Sequence, residues 1–329
     1  MMIHTVISPD ILTPENFDDP IYRQNVEIFL MGILSNGTII VDQKMRLRAQ
    51  LKELSLRLGT SRSGENARRL FEEILKKDLF SSTRKFLPSE CETSLASDEK
   101  DQPQEIAISC VNDAFITRSS SRIKKTNSSS FLLDISSYGS SDLERKRRNF
   151  AETDFPTCDK MEPSLFEDII IRATRYSKRL RFYDSMIGRG SRLPAFSMGI
   201  AKIIQLWLAN CHYPKPSLSA EIYTTSHKPT TSYGSVSKNT YQVIKKELCD
   251  SLRDEHGIPI RFFFKFDRDK NCHARHLQSD YCIILFERGF DIYNDRGKMR
   301  RCFINHCPQG DSHLNDYRNL PEDRQVQQR

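Results

Sequence analysis

No Cys-x-x-Cys pair occurs in this 329-residue chain, and its nine cysteines are scattered and odd in number. Such spacing does not read as a disulfide framework. Most of these thiols sit in apolar patterns, as Cys282 does, where reduced cysteine behaves as a small hydrophobe. A reducing compartment is expected. No apolar run approaches the length of a membrane span. The opening residues Met1-Met2-Ile3-His4-Thr5 lack the basic stretch and apolar core of a secretory signal. A cytoplasmic protein is therefore expected. No internal repeat is evident.

What is present suits a protein with real cores. The length allows two domains of ordinary size. Apolar residues make up 38% and charged residues 28%, the balance of a folded soluble chain rather than a disordered one. The net charge of +7 favours contact with polyanions, although basic residues also serve solubility.

Residues 1–117 read as a small α/β domain. His4–Ser8 is a short strand, Val26, Phe29, Leu30 and Ile33 repeat at helical spacing, and Thr38–Val41 is a buried strand. Two further helices follow, marked by Leu47 to Leu58 and by Ala67 to Leu75. Ile106–Val111 returns to strand. This alternation favours a mostly parallel sheet. Residues 118–150 are rich in Ser and carry the basic run Arg145-Lys146-Arg147-Arg148, and are expected to be a linker. A second α/β unit is expected over 151–318. It carries helices through Leu165–Tyr176, Phe196–Leu208 and Tyr241–Leu252, and strands at 180–183, 218–222, 258–264 and 281–286. Residues 319–329 read as a frayed, charged tail.

The segment His273-Ala274-Arg275, followed at five residues by Asp280, precedes the apolar strand Tyr281–Phe286. In extended chain, His273 and Arg275 face one way. An imidazole can attack phosphorus, and a guanidinium can hold two phosphate oxygens as a planar fork. This spacing resembles the His-x-Lys-x4-Asp motif of the phospholipase D superfamily, with Arg275 in the lysine position. The segment Glu287–Tyr293 resembles the ending seen in single-motif members, including the phospholipase-D-like C-terminal domain of MIT-domain proteins. The resemblance covers about residues 160–310.

The resemblance implies a C-terminal phospholipase-D-like α/β domain with a mixed sheet. It implies a phosphodiesterase that needs neither metal nor other cofactor. His273 would be nucleophile or acid, Arg275 would clamp the phosphoryl oxygens, and Asp280 would orient a histidine. One motif implies a homodimer in which each chain gives one histidine. Arg275 and Glu287-Arg288-Gly289 depart from active members, and relatives with altered motifs bind phosphorylated ligands or lipids without cleaving them. A nuclease is the preferred expectation, given the basic balance and the lack of a membrane-binding amphipathic segment. A non-catalytic module for phosphate, nucleic acid or phospholipid is the alternative.

Other residues invite ligands. Gly188-Arg189-Gly190 follows a strand, where α/β folds bind ligands, so Arg189 joins Arg275 and Arg288 as a candidate phosphate-binding cation. A plain turn is the competing reading. Cys302, His306, Cys307 and His313, with Cys272, His273 and His276, could suggest zinc, but their spacing fits no standard knuckle. Asp10, Asp42 and Asp113 each follow a short strand. Carboxylates gathered at one sheet edge can hold Mg²⁺, an arrangement weakly similar to PIN-like nucleases. Strand-end aspartates are also ordinary turn formers.

Overall fold

A computed structural model describes residues 3–42, 44–58, 63–83, 114–117, 131–152, 155–157, 163–187, 193–226, 242, 244–267, 275–294, 296–300, 302–307 and 310–322. The chain divides into two compact units, Met1–Phe150 and Ala151–Arg329. Both are α/β, as expected.

Among its described residues unit 1 has five parallel strands: β1 (Ile3–Ile7), β2 (Gly37–Asp42), β3 (Phe80–Thr83), β4 (Ala114–Thr117) and β5 (Phe131–Asp134). Their order is β3-β2-β1-β4-β5. Residues on both faces of β1, from His4 to Ile7, are buried, as the central position of the strand demands. Helix α1 (Pro20–Asn36) starts where Asp19 accepts the N–H groups of Ile21 and Tyr22, with proline at its first position. It buries Val26, Phe29, Leu30 and Ile33. Helices α2 (Arg46–Leu58) and α3 (Glu65–Lys76) complete the connection to β3.

Residues 131–150 are not a linker. They form β5, a 3-10 turn over Ile135–Ser140 and helix α4 (Asp142–Glu152), all but the last turn of which lies in unit 1. Polar composition concealed the anchors. Tyr138 is buried edge-on against Phe29 at 5.2 Å between ring centroids. Asn25 of α1 donates to the Ser136 carbonyl at 2.8 Å and accepts the Gly139 N–H at 2.6 Å. Nor are all the basic side chains of 145–148 solvated. Arg147 and Arg148 both donate to the buried Glu144 carboxylate, at 2.7 and 2.8 Å. Burial alone would raise the Glu144 carboxyl; these hydrogen bonds outweigh it and hold the group below the usual carboxylate range. The expected strand at 106–111 lies outside the described residues, whereas two short strands were not expected: β3 at the edge of the sheet and β4 beside the central β1.

Among its described residues unit 2 carries seven strands: β6 (Phe155–Thr157), β7 (Arg179–Asp184), β8 (Ser219–Ser226), β9 (Ile260–Phe266), β10 (Arg275–Gln278), β11 (Ile283–Phe286) and β12 (Cys302–His306). Their order is β6-β12-β11-β10-β7-β8-β9. The β7-β8-β9 strands run parallel and the remaining pairings are antiparallel, a mixed sheet as expected. Helices α5 (Pro163–Thr174), α6 (Leu193–Asn210) and α7 (Ser251–His256) supply Phe166, Ile170, Phe196, Ile203, Trp207 and Leu252 to the core. A π-helical turn, Lys245–Asp250, leads into α7, which stops at Gly257 in the left-handed region at φ 60°.

The chain does not fray at 319. Helix α8 (Gly310–Asn319) buries Leu314 and Tyr317 against Tyr183, Tyr223 and Ile283. Beyond it, Phe266 donates its N–H to the Pro321 carbonyl at 2.8 Å, and Glu322 bridges Lys265. Two apolar residues three apart made one helical stripe that the charged composition hid. Residues 323–329 lie outside the described set.

Candidate functional site

The polar centre nearest the expected motif lies where β7 ends and β10 begins. Antiparallel register sets Arg275 opposite Asp184. Asp184 is fully buried and accepts the N–H groups of Met186 at 2.8 Å and Phe290 at 3.1 Å. Burial pushes its carboxyl up to about 7, although the two amides and the Arg275 guanidinium oppose the rise. Arg275 donates to the Glu287 carbonyl. Its Nε is buried and has no hydrogen-bond partner among the described residues. The guanidinium is thus held at one corner while retaining donors.

The loop after β11 is pinned at two points. Gly289 lies at φ 78°, where a β-carbon would stand 1.9 Å from Asp184 Oδ2. A β-carbon on Gly199 of α6 would stand 2.0 Å from the Phe290 carbonyl oxygen. Both approaches require glycine. Asp291, next in the loop, is buried and takes an ion pair from Arg300 at 3.3 Å. This places the Gly289–Phe290 stretch against the carboxyl-terminal end of β7, the end of a parallel strand at which α/β sheets hold ligands.

The expected motif is only partly assembled there. Asp280 lies at the opposite end of β10, where its carboxylate accepts the Lys178 N–H at 2.7 Å and its own N–H reaches Ser177 Oγ at 2.8 Å. Lys178 and Asp184 are six residues apart along β7, about 20 Å at strand rise. Asp280 therefore tethers a turn and stands apart from Arg275. His273, Arg189 and Asp113 lie outside the described residues. Arg288 is exposed on the glycine-pinned loop.

In unit 1, Asp10 sits in the 3-10 turn Pro9–Leu12 after β1, and Asp42 ends β2. Asp113 lies outside the described residues, immediately before β4 in sequence. Cys302 and His306 are buried on β12 and His276 lies on β10, but among the described residues no three His, Cys, Asp or Glu side chains gather to hold a metal ion. The Asp10–Asp42–Asp113 grouping and the zinc grouping thus have no assembled counterpart in the described part of the chain.

A second constellation was not foreseen. Alternation puts Arg179, Arg181 and Tyr183 of β7 on the face away from Asp184. Register brings Arg181, Glu221 and Arg261 into one row across β7, β8 and β9, and Tyr183, Tyr223 and Phe263 into the next. The rings stack at 4.7 and 4.6 Å between centroids. Buried Glu221 accepts from Arg181 at 2.8 Å, from Arg261 and from the Tyr223 hydroxyl at 3.0 Å, with Arg179 at 4.0 Å. Its burial raises the carboxyl, and the Arg181 hydrogen bond with the surrounding cations more than reverses this. The period-two signal was legible in Arg-x-Arg-x-Tyr, Glu-x-Tyr and Arg-x-Phe-x-Lys; only the register could align the three.

No family model, curated protein or solved structure matches this chain.

Proposed function

We propose that unit 2 is a phospholipase-D-like module that recognises phosphodiester groups through Arg275, with nucleic acid favoured over lipid as the ligand. The observation that supports this is the placement of Arg275 opposite Asp184, anchored by one donor to the Glu287 carbonyl with Nε left over. A planar guanidinium fixed in this way suits a tetrahedral anion. The net charge of +7 agrees with a polyanionic ligand.

Cleavage is a second reading, favoured by His273 standing two residues before Arg275 in sequence. In that reading the His273 imidazole attacks phosphorus and forms a phosphohistidine. A second His273, from another copy in a homodimer, protonates the departing oxygen, and water then releases the phosphate and restores the imidazole. With Asp280 at the far end of β10, the histidine would need another residue to orient it.

Fluorescence anisotropy with labelled DNA and RNA strands in EDTA tests recognition. Arg275→Ala is expected to weaken binding about tenfold and to reduce the salt slope by about one. Unchanged binding would remove Arg275 from the site. Strand cleavage in EDTA that His273→Ala abolishes would establish the second reading, and a strictly monomeric active protein would exclude the shared site.

A further inference from the structure

We infer that the cavity between α6 and the segment formed by the π-helical turn and α7 docks a basic amphipathic helix of a partner protein. This goes beyond the Arg275 reading and does not depend on it. The lining comes from α6, the π-helical turn and α7, and none of it from β7, β10 or the loop after β11.

The cavity holds about 600 Å³, within the range of sites for organic ligands, and every residue lining it belongs to the described set. Helix α6 explains its shape. One side of the helix sends Phe196, Ile200, Ile203 and Trp207 into the core. The other side carries two rows at i, i+4 spacing: Leu193, Ser197 and Ala201, and beside them Pro194, Met198 and Lys202. Ser197 and Ala201 are short and leave the hollow. Met198, 37% exposed, is flexible and polarisable, and can adapt to a partner's side chains. The lining runs from Leu193 to Gln205, ~18 Å at helical rise, which matches a helix of about three turns rather than a small amine. The facing wall includes Glu247 of the π-helical turn, a rare form found most often at functional sites.

Charge selects a basic occupant. In a chain of net charge +7, the only cation lining this cavity, Lys202, is already paired with Glu167 at 2.7 Å. Glu247 and Glu255 are exposed, and among the described residues no lysine or arginine forms an ion pair with either. Glu255 has only His256 beside it, at 3.8 Å, and burial holds that imidazole below its usual range. Two carboxylates thus stand uncompensated above an apolar floor. A wholly apolar partner would bury them unpaired, and a phosphate backbone or an anionic membrane would be repelled. A helix with aliphatic side chains on one face and lysine or arginine at its margins meets both floor and wall.

The test uses the full chain and a labelled helical peptide of leucine and lysine, about four turns long, with its leucines on one face. In fluorescence anisotropy this peptide is expected to bind about tenfold more tightly than a scrambled peptide of the same composition, which keeps the charge but has no apolar face. Glu247→Gln combined with Glu255→Gln should weaken binding about tenfold. Both side chains are exposed, and a thermal melt checks that the variant folds. Methyl-labelled methionine locates the contact: the Met198 signal, assigned by its disappearance in Met198→Leu, should shift as the peptide saturates the wild type. A Met198 signal that stays in place at saturation overturns the inference. So does undiminished binding by the double glutamine variant, or equal binding of the scrambled peptide. Equal binding of a peptide with glutamate in place of lysine would assign the cavity to an apolar partner and overturn it too. Displacement by spermine as effective as by unlabelled peptide, or no binding of the leucine–lysine peptide, would do the same. The methyl measurement is made on the wild type, so a folding defect in a variant leaves the test decisive.

Discussion

A β-carbon placed on Gly289 would stand 1.9 Å from Oδ2 of Asp184, closer than any side chain can approach. The carboxyl group cannot retreat, since Met186 and Phe290 hold both of its oxygens through backbone N–H groups. Gly289→Ala is therefore expected to destabilise unit 2 by roughly 3 kcal/mol or more, combining a left-handed backbone with a steric conflict. Gly297 provides the control. It also has positive φ, at 71°, but nothing lies within 4 Å of its built β-carbon. Gly297→Ala should cost only about 1 kcal/mol. Denaturant unfolding of both variants measures the difference, and equal losses would refute the close approach.

The same carboxyl group makes stability depend on pH. Its folded value is pushed up to about 7 by burial, against an unfolded value near ~3.9. Between these values the unfolded chain has released its proton while the folded one retains it. The unfolded state therefore binds fewer protons, and stability falls as pH rises through this window. The contribution is full below about pH 4 and lost above about pH 7, and can reach about 4 kcal/mol. Arg275 and Asp291 are the charged groups acting on Asp184, with opposite signs. Urea unfolding at pH 5 and pH 7.5 should show the decline in the wild type and a smaller one in Asp184→Asn. A stability difference between wild type and Asp184→Asn that is the same at both pH values would rule the linkage out.

Long periodic elements were legible in the sequence because a single face decided them. Val26, Phe29, Leu30 and Ile33 form one apolar stripe, and α1 follows. Strand β11 could be read from its continuous apolar run alone. What escaped depended on partners far away in the chain. The turn at 135–140 is defined by Asn25, over a hundred residues earlier. Strand β12 exists by pairing with β11 and β6, and α8 by two side chains that fit against Tyr183 and Tyr223. The site divided in the same way. Arg275 drew attention through local spacing, whereas its neighbour Asp184, ninety-one positions before it, comes beside it only through register. Asp280 matched a motif position, yet the strand carries it away from Arg275 to tether Lys178. The ion and ring rows required three strands to be aligned, which no single segment reveals.

Among the described residues Glu221 is the only anion in its row, and its removal should expose that fact. Arg181 has a side chain only 17% exposed, so it cannot turn fully into water when its partner is lost. Glu221→Ala is expected to cost about 3 kcal/mol, most of it from leaving a desolvated cation unpaired. Replacing both residues by apolar ones, Glu221→Leu with Arg181→Met, should recover much of the loss, because no buried charge remains. The Glu221 carboxyl is held below its usual range, so its contribution is present above the unfolded value and lost as pH falls through the folded one. Thermal melts of the single and double variants measure this. A double variant no more stable than Glu221→Ala would mean that the penalty comes from packing rather than charge.

Asn25 offers the test of where unit 1 ends. Its side chain donates to the Ile21 carbonyl at 3.0 Å and the Ser136 carbonyl at 2.8 Å, and accepts the Gly139 N–H at 2.6 Å. One amide thus satisfies two backbone groups of the Ile135–Ser140 turn from within α1. Asn25→Ala leaves both groups without this partner at a site already sealed by Tyr138 and Phe29. The expected cost is about 1–3 kcal/mol. Because the loss falls on the turn, amide hydrogen exchange should accelerate most over residues 135–141, with a smaller change in β1 and β2. Asn25→Asp keeps the acceptor for Gly139 but not the donor for Ser136, and should fall between the two. If exchange over 135–141 were already as fast in the wild type as in an unstructured peptide, this segment would be a linker after all, and Asn25→Ala would then leave stability unchanged.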